Sequence, residues 1–209
     1  MDKYEETFET WNNIAAIYQD KFMGIDLYNE TYDYICDVLK PNAKLLEIGC
    51  GPGNITKYLL SKRPDFNVFG IDISPNMIEL AGKNNPAARF AVMDSRQISR
   101  LKTKYDGVIG GFCLPYLSSP ESRKLISDAY DLLHGNGVIY LSFVDGDPGK
   151  SGFKEGPAGR VFFYFHRSGN LKSQLTAKGF EDIKTFKVPF RKAKAEFDMH
   201  TILIAKKNN

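Results

Sequence analysis

Cysteine and histidine are scarce in this chain, with three residues of each type among 209. The cysteines, Cys36, Cys50 and Cys113, are odd in number and lie far apart, so they indicate no disulfide framework. No pair of them has the spacing of metal ligands, and the few histidines add no such cluster. The sequence therefore predicts no zinc or other metal site.

Long apolar runs and a strong charge of either sign are also lacking. No apolar run approaches the roughly 18 residues that a membrane span needs, and the acidic N-terminus does not resemble a signal peptide. The net charge of +3 is too weak to indicate a nucleic acid as partner. We therefore expect a cytoplasmic protein, with residues 1–209 forming one domain and with neither a membrane nor DNA as partner. The oligomeric state stays open.

Helical and strand patterns alternate along most of the chain. Two N-terminal segments, Phe8 to Phe22 and Asp26 to Leu39, have helical periodicity and predict a helical cap over residues 1–40. From Lys44 onward, short apolar runs alternate with helical segments, which predicts a parallel sheet covered by helices on both faces. The last two strands are joined only by the charged stretch RKAKAEFD, so we expect them to form an antiparallel hairpin at one end of the sheet.

The segment KLLEIGCGPGNIT, residues 44–56, is typical of a buried strand followed by a glycine-rich turn. Gly49, Gly51 and Gly53 lack Cβ atoms, so the backbone there can turn sharply and approach a ligand closely. Asn54 is the expected N-cap of the next helix, whose first N–H groups favour an electronegative ligand atom. The alternative is a structural turn that binds nothing.

Acidic residues lie in or at the end of three successive predicted strands. Asp72 ends the second strand about 20 residues after the turn, where a carboxylate can accept hydrogen bonds from both hydroxyls of a ribose. Asp72 can alternatively serve the N-terminus of the helix that follows it. Glu47 lies within the first strand and Asp94 ends the third, so three carboxylates are predicted at one edge of the sheet.

This arrangement favours S-adenosylmethionine over a dinucleotide. The dinucleotide pattern G-x-G-x-x-G needs a glycine where this chain has Asn54. Glu47 would repel a pyrophosphate and attract a cation. S-adenosylmethionine carries a sulfonium and an amino group besides its ribose and base, so it fits three acids better than a nicotinamide cofactor does.

Taken in order, these motifs resemble those of the class I, Rossmann-like methyltransferases that use S-adenosylmethionine. Their successive motifs are similar to LLEIGCGPG, VFGIDISPNMIELA, FAVMDSRQI, YDGVIGGFCLPYL and LLHGNGVIYLSF, of which the fourth contains the strand that ends beside the methyl group. The resemblance extends from Ile14 to Lys206. It implies a three-layer, doubly wound α/β fold over residues 41–209, with seven strands in the order 3-2-1-4-5-7-6 and strand seven antiparallel.

The resemblance also implies which residues bind the donor and its product, S-adenosylhomocysteine. They belong to the N-terminal helices, the glycine turn and the ends of strands two to four: Tyr18, Glu47, Gly49, Cys50, Gly51, Gly53, Asp72, Ile73, Met77, Asp94, Ser95, Arg96, Gly111 and Phe112. Asp94, Ser95 and Arg96 are expected to meet the adenine. Tyr18 is expected to touch the donor, and the alternative is core packing by an aromatic stripe.

The acceptor is expected to be a small molecule. The stretch CLPY lacks the motif of enzymes that methylate DNA amino groups, and Cys113 follows Phe112 instead of proline, so we interpret this cysteine as an apolar wall residue. His166 is the candidate general base, and the alternative is a surface or capping histidine. Displacement at a sulfonium depends mostly on positioning and desolvation. A binding protein without methyl transfer and an enzyme acting on protein or RNA stay open as alternatives.

The segment from Asp145 to Gly159, DGDPGKSGFKEGPAG, is predicted to be a long loop. Loops of this length inside a compact domain are uncommon and often functional. We expect it to shape the acceptor site together with the N-terminal helices and the aromatic run FFYF.

Overall fold

The computed structural model describes residues 2–156, 159–191 and 196–209. The helices are α1 (Lys3–Asn13), α2 (Ala15–Phe22), α3 (Asn29–Val38), α4 (Asn54–Lys62), α5 (Pro75–Asn84), α6 (Ser119–Leu132) and α7 (Ser168–Lys178). The strands are β1 (Lys44–Ile48), β2 (Asn67–Asp72), β3 (Arg89–Val92), β4 (Tyr105–Gly110), β5 (Leu133–Val144), β6 (Gly152–Gly156), β7 (Gly159–Phe163), β8 (Phe180–Arg191) and β9 (Phe197–Lys207). Short 3₁₀ turns follow β3, β4 and β5 at Ser95–Arg100, Leu114–Tyr116 and Pro148–Lys150.

Seven strands form one sheet in the order β3-β2-β1-β4-β5-β9-β8. Strands β1 to β5 run parallel, and β9 is antiparallel to both of its neighbours. Because β8 and β9 are the sixth and seventh strands of this sheet, the predicted order and the antiparallel seventh strand are confirmed. The strand order reverses between β1 and β4, and open α/β sheets bind their ligands at such a point.

Helices cover both faces of the sheet, which gives the three predicted layers. Leu45 and Leu46 are neighbours in β1 and point to opposite faces, since side chains alternate along a strand. Leu45 packs in a cluster with Ile35 of α3 and Leu59 of α4, and Leu46 packs in a cluster with residues of α6 and α7. The helix α3 therefore belongs to a covering layer of the sheet.

The N-terminal periodicity predicted one helix from Phe8 to Phe22, and the structure divides it at Ile14 into α1 and α2. The Asn12 carbonyl accepts a hydrogen bond from Asn76 Nδ2 at 2.8 Å, which ties the end of α1 to the start of α5. A contact between residues 64 positions apart leaves no periodic signal in the sequence.

The predicted loop from Asp145 to Gly159 was wrong in its second half. Residues 152–156 form β6, which pairs in antiparallel register with β7 as a separate two-stranded sheet. Helix α1 supports this hairpin, because Thr7 Oγ1 accepts from the Phe162 N–H at 2.9 Å and Thr10 Oγ1 donates to the Arg160 carbonyl at 3.0 Å. The hairpin was missed because its position depends on these long-range contacts and its sequence lacks the alternating pattern that is typical of a strand.

Parts of two predicted segments lie outside the described residues. They are 157–158, between β6 and β7, and 192–195, in the charged stretch that joins the last two strands of the large sheet. Within the described ranges, no helix combines the length and the apolar character that crossing a bilayer requires.

Candidate functional site

The glycine turn leaves β1 at Ile48 and enters α4 at Asn54. Gly49, Gly51 and Gly53 have φ angles of +64°, +52° and +80°, a region that residues with a Cβ rarely adopt. Gly53 occupies the N-cap position in this left-handed conformation, so the expectation that Asn54 caps the helix was wrong. A Cβ on Gly53 would also lie 2.3 Å from Asn85 Nδ2.

A cleft opens beside this turn, at the carboxyl ends of the parallel strands, and holds about 1050 Å³ of space counting its open mouth. Predicted donor-binding residues line it: Tyr18, Gly49, Gly51, Asp72, Ile73, Met77, Asp94, Ser95, Arg96, Gly111 and Phe112. Further lining residues, outside the set predicted to bind the donor, are Tyr4, Thr7, Phe8, Trp11, Met93, Cys113, Tyr116, Leu117, Phe162 and Tyr164. Most of these are aromatic.

Asp72 connects the turn to the next helix. Its Oδ2 accepts from the Gly51 N–H and its Oδ1 from the Ser74 N–H, both at 2.9 Å. Burial raises the pKa of this carboxyl, and the two backbone hydrogen bonds oppose the rise. Each carboxylate oxygen keeps a second lone pair, so Asp72 can serve the start of α5 and still accept hydrogen bonds in the cleft.

Glu47 is almost fully buried and does not line the cleft. It shares the β1 face of Leu45, which α4 covers, and its carboxylate accepts a hydrogen bond from Thr56 of that helix. Burial raises the pKa of Glu47 to about 8, so the group is mostly protonated at neutral pH. The expectation that a charged Glu47 faces the turn and attracts a cation is therefore corrected.

Cys50 and Gly53 lie on the same inner side of the turn and do not line the cleft either. The Cys50 N–H donates to the Ile71 carbonyl at 3.0 Å, and the Gly53 carbonyl accepts from Asn85 Nδ2 at 3.0 Å. Both residues stabilise the turn from the side that faces away from the cleft.

At the end of β3, Asp94 and Arg96 neutralise each other. Asp94 Oδ1 accepts from the Arg96 N–H at 2.8 Å, and Asp94 Oδ2 pairs with Arg96 Nη2 at 2.6 Å. The guanidinium also lies 4.4 Å from the centre of the Tyr4 ring, and the Tyr4 hydroxyl donates to Glu121 Oε2 at 2.7 Å. This end of the cleft is thus polar, with its charges paired.

At the end of β4, Phe112 is held in a left-handed conformation with φ of +54°, and its N–H donates to Ser142 Oγ at 2.8 Å. Strained backbone of this kind is concentrated at functional sites. The next residue, Cys113, is buried, and burial raises the pKa of its thiol to about 12. At neutral pH the thiol stays protonated, so it is not a nucleophile.

His166 does not line the cleft. Its Nε2 lies 2.9 Å from the Leu114 carbonyl, and since a carbonyl only accepts, this nitrogen carries the proton. Burial lowers the pKa of the imidazole. The structure therefore does not place His166 in the cleft as a general base. His166 is a buried residue whose hydrogen bond to Leu114 anchors the 3₁₀ turn that carries Tyr116.

Trp11 on α1 covers the cleft. Its ring meets Tyr18 and Tyr116 edge-on, with centroids 5.5 and 5.8 Å away. Asn12 fastens the end of the helix, because its Oδ1 accepts from Ser74 Oγ at 2.8 Å. Helix α1 therefore forms a roof over the cleft, between the 3₁₀ turn that follows β4 and the start of α5.

Metal-binding groups do not occur in the part of the chain that the structure describes: no three His, Cys, Asp or Glu side chains converge there. The three cysteines are free and buried.

The fold, the glycine turn and the acid at the end of β2 are those of the class I, Rossmann-like methyltransferases, and a family match confirms the predicted resemblance for residues 45–137. Within that class, residues 45–137 match the model of the family described as a methyltransferase domain.

Comparisons with known proteins agree with this class. The chain is 40% identical over 81 residues to a putative methyltransferase of Invertebrate iridescent virus 6, covering 39% of this chain and 30% of that protein. It is 25% identical over 149 residues to a carboxy-S-adenosyl-L-methionine synthase of Campylobacter hominis, covering 68% and 63%. The chain thus spans less than two thirds of the length of either relative.

Solved structures share the fold. The crystal structure of magnesium protoporphyrin IX methyltransferase from Synechocystis PCC 6803 with bound S-adenosylmethionine superposes with a TM-score of 0.72. The two sequences are 19% identical, and the match covers 100% of this chain and 98% of the other.

Proposed function

We propose that this protein transfers the methyl group of S-adenosylmethionine to a small-molecule acceptor. The observation that carries the proposal is Asp72, which ends β2 in contact with the glycine turn and lines the same cleft as the residues that follow β3 and β4. One cleft therefore contains an acid that can bind the ribose, a loop that can bind the base and an open strand end.

The residues present fit this donor. A Cβ on Gly51 would lie 3.7 Å from the Tyr18 ring, in van der Waals contact, so Tyr18 packs close to the glycine turn at the edge of the cleft. Asp72 has free lone pairs for two ribose hydroxyls. The paired charges of Asp94 and Arg96 leave a neutral, hydrogen-bonding edge, which suits an adenine.

Bound S-adenosylmethionine would supply a methyl group that its sulfonium has already activated. Asp72 would hold the ribose and the backbone near Ser95 would meet the base. The Tyr18 ring, which lies beside the glycine turn, would favour the cation and keep water from it. Among the described residues that line the cleft, the ionisable carboxylates are Asp72 and Asp94, both already engaged, so we assign the rate enhancement to positioning and desolvation.

The names of two relatives support a ligand of the S-adenosylmethionine type, since one is a putative methyltransferase and another is a synthase of carboxy-S-adenosyl-L-methionine. Of these two names, the first supports methyl transfer. A solved structure of this fold is described as a [4+2]-cyclase, so the fold alone does not establish methyl transfer.

Turnover separates methyl transfer from binding alone. The protein would be incubated with donor labelled in its methyl group and a fractionated extract of small metabolites, and the label in each fraction counted. We expect a labelled small-molecule product that requires the protein. Donor binding without any labelled product, in fractions of small molecules, proteins or RNA, would contradict the proposal, and label only in protein or RNA would correct its acceptor class.

A further inference from the structure

The order of the strands orients the donor, if the proposed function holds. The ribose acid Asp72 ends β2, and the base-binding loop of Asp94 follows β3. Neighbouring strands are about 4.8 Å apart. In the sheet, β1 and then β4 lie on the side of β2 that faces away from β3. The sulfonium therefore extends past the glycine turn towards the end of β4, and the acceptor must approach it there.

Aromatic rings surround that position. Trp11 comes from the roof, Phe112 from the end of β4 and Tyr116 from the 3₁₀ turn that follows, and all three line the cleft. We call these three side chains the aromatic slot. Phe112 is fixed from behind, because its ring packs edge-on against Tyr28 and His200, with centroids 5.4 and 4.7 Å away. Aromatic rings pair favourably with one another in offset-stacked or edge-to-face arrangements, so three such side chains favour an aromatic ligand.

Charge is concentrated at the other end of the cleft. Among the described lining residues, the charged side chains are Asp72, Asp94 and Arg96, which belong to the ends of β2 and β3. The arginine is paired with Asp94 and is not available to an anion at the slot. A carboxylate or phosphate entering the slot would lose its hydration without gaining a partner, so the acceptor is expected to be neutral there.

Trp11 contributes an independent observation. Its Nε1–H is buried and has no hydrogen-bond partner in the part of the chain that the structure describes. Burial raises the pKa of Tyr116 and the nearby Trp11 indole opposes the rise, but the two side chains do not meet in hydrogen-bonding geometry. A buried indole N–H normally has a partner, and this one lies in a residue that lines the cleft.

We propose that the aromatic slot binds a neutral, planar aromatic or heteroaromatic acceptor that carries a carbonyl oxygen or ring nitrogen to accept a hydrogen bond from Trp11 Nε1. This assigns the substrate class of the proposed methyl transfer and therefore rests on it. The rings favour an aromatic ligand, the absence of an unpaired cation among the described lining residues disfavours anions, and the indole selects a hydrogen-bond acceptor.

The test measures binding of three bicyclic probes to the full chain saturated with S-adenosylhomocysteine, by isothermal titration. They are 4-quinolone, which is planar and neutral; quinoline-4-carboxylate, which is planar and anionic; and 1-decalone, a saturated ketone. We expect 4-quinolone to bind at least about tenfold more tightly than the other two. Equal or tighter binding of the carboxylate or the decalone overturns the proposal. So does the absence of 4-quinolone binding by a protein that binds S-adenosylhomocysteine.

Trp11→Phe keeps a ring and removes the donor. We expect it to weaken 4-quinolone binding by about tenfold, the loss typical of one hydrogen bond, while the affinity for S-adenosylhomocysteine changes by less than about twofold. Phe197→Leu, at an exposed position that does not line the cleft, is the matched control. Unchanged 4-quinolone binding in Trp11→Phe overturns the role of the indole. A protein that binds no S-adenosylhomocysteine overturns the proposed function, and this inference with it.

Discussion

Asp72 accepts a hydrogen bond from the Gly51 N–H at 2.9 Å, so the acid that ends β2 holds the glycine turn that follows β1. The two residues are 21 positions apart and belong to two separate sequence motifs. Their contact makes the motifs one structural unit: the turn is held open towards the cleft, and the carboxylate is fixed beside it.

The left-handed glycine at position 53 predicts a stability difference between two alanine variants. Gly53→Ala would impose a Cβ at φ of +80° and 2.3 Å from Asn85 Nδ2, so it should destabilise the fold by about 1–3 kcal/mol. Gly82→Ala is the matched control, because no atom lies within 4 Å of its Cβ position in α5, and it should stabilise by about 0.5–1 kcal/mol. Urea unfolding measures both, and equal stabilities would contradict the turn geometry.

Burial of Glu47 predicts a pH-dependent stability. Its pKa is about 8 in the folded chain and about 4.3 when unfolded, so between these values the folded state binds the extra proton. The stabilisation is complete below about pH 4.3 and is lost as pH rises to about 8, with a slope of up to about 1.4 kcal/mol per pH unit. Glu47→Gln cannot ionise and should lack this loss. Parallel unfolding curves for both proteins between pH 5 and 8 would show that Glu47 is ionised in the fold.

The protonated, buried thiols predict slow alkylation. Cys36, Cys50 and Cys113 are buried, and burial raises the pKa of each, while the thiolate is the form that reacts. Iodoacetamide at pH 8 should leave all three unmodified in the folded chain and alkylate all three after unfolding in urea. Peptide mass spectrometry reads the result. Rapid modification of Cys113 in the folded chain would reveal a reactive thiolate at the cleft.

The anchoring role of His166 predicts acid sensitivity. Burial lowers its pKa in the folded chain, so its stabilisation is present above the unfolded value of about 6.5 and is lost as pH falls through the lower folded value. His166→Gln keeps an N–H donor for the Leu114 carbonyl and should flatten the stability profile between pH 7 and 5. A variant with an unchanged acid profile would assign the proton uptake to another group.

The sheet and most of the cleft could be predicted because their signals are local. The apolar run of β1, the glycines after it and the acid that ends β2 can each be recognised from a few consecutive residues. The position of Trp11 and the pairing of β6 with β7 could not be predicted, because they depend on contacts of α1 with residues more than 60 positions away. The burial and protonation of Glu47 were missed for a related reason. Its position in the motif suggests a charged carboxylate, and only the packing of α4 against β1 shows that the side chain is buried.

Asp72 also permits a variant that separates folding from binding. Asp72→Asn keeps one oxygen for a backbone N–H and removes the charge, whereas Asp72→Ala removes both. Asp131→Ala, at an exposed position of α6 that does not line the cleft, controls for the loss of a carboxylate. Circular dichroism establishes that each variant is folded before any titration.

Calorimetric titration of S-adenosylmethionine into the unaltered protein, Asp72→Ala, Asp72→Asn and Asp131→Ala tests the central claim most directly. We predict binding by the unaltered protein and by Asp131→Ala with equal affinity. Folded Asp72→Ala should bind at least about tenfold more weakly, as the loss of hydrogen bonds to a charged group implies, and Asp72→Asn should fall between. No binding by the unaltered protein, or equal binding by folded Asp72→Ala, would contradict the account.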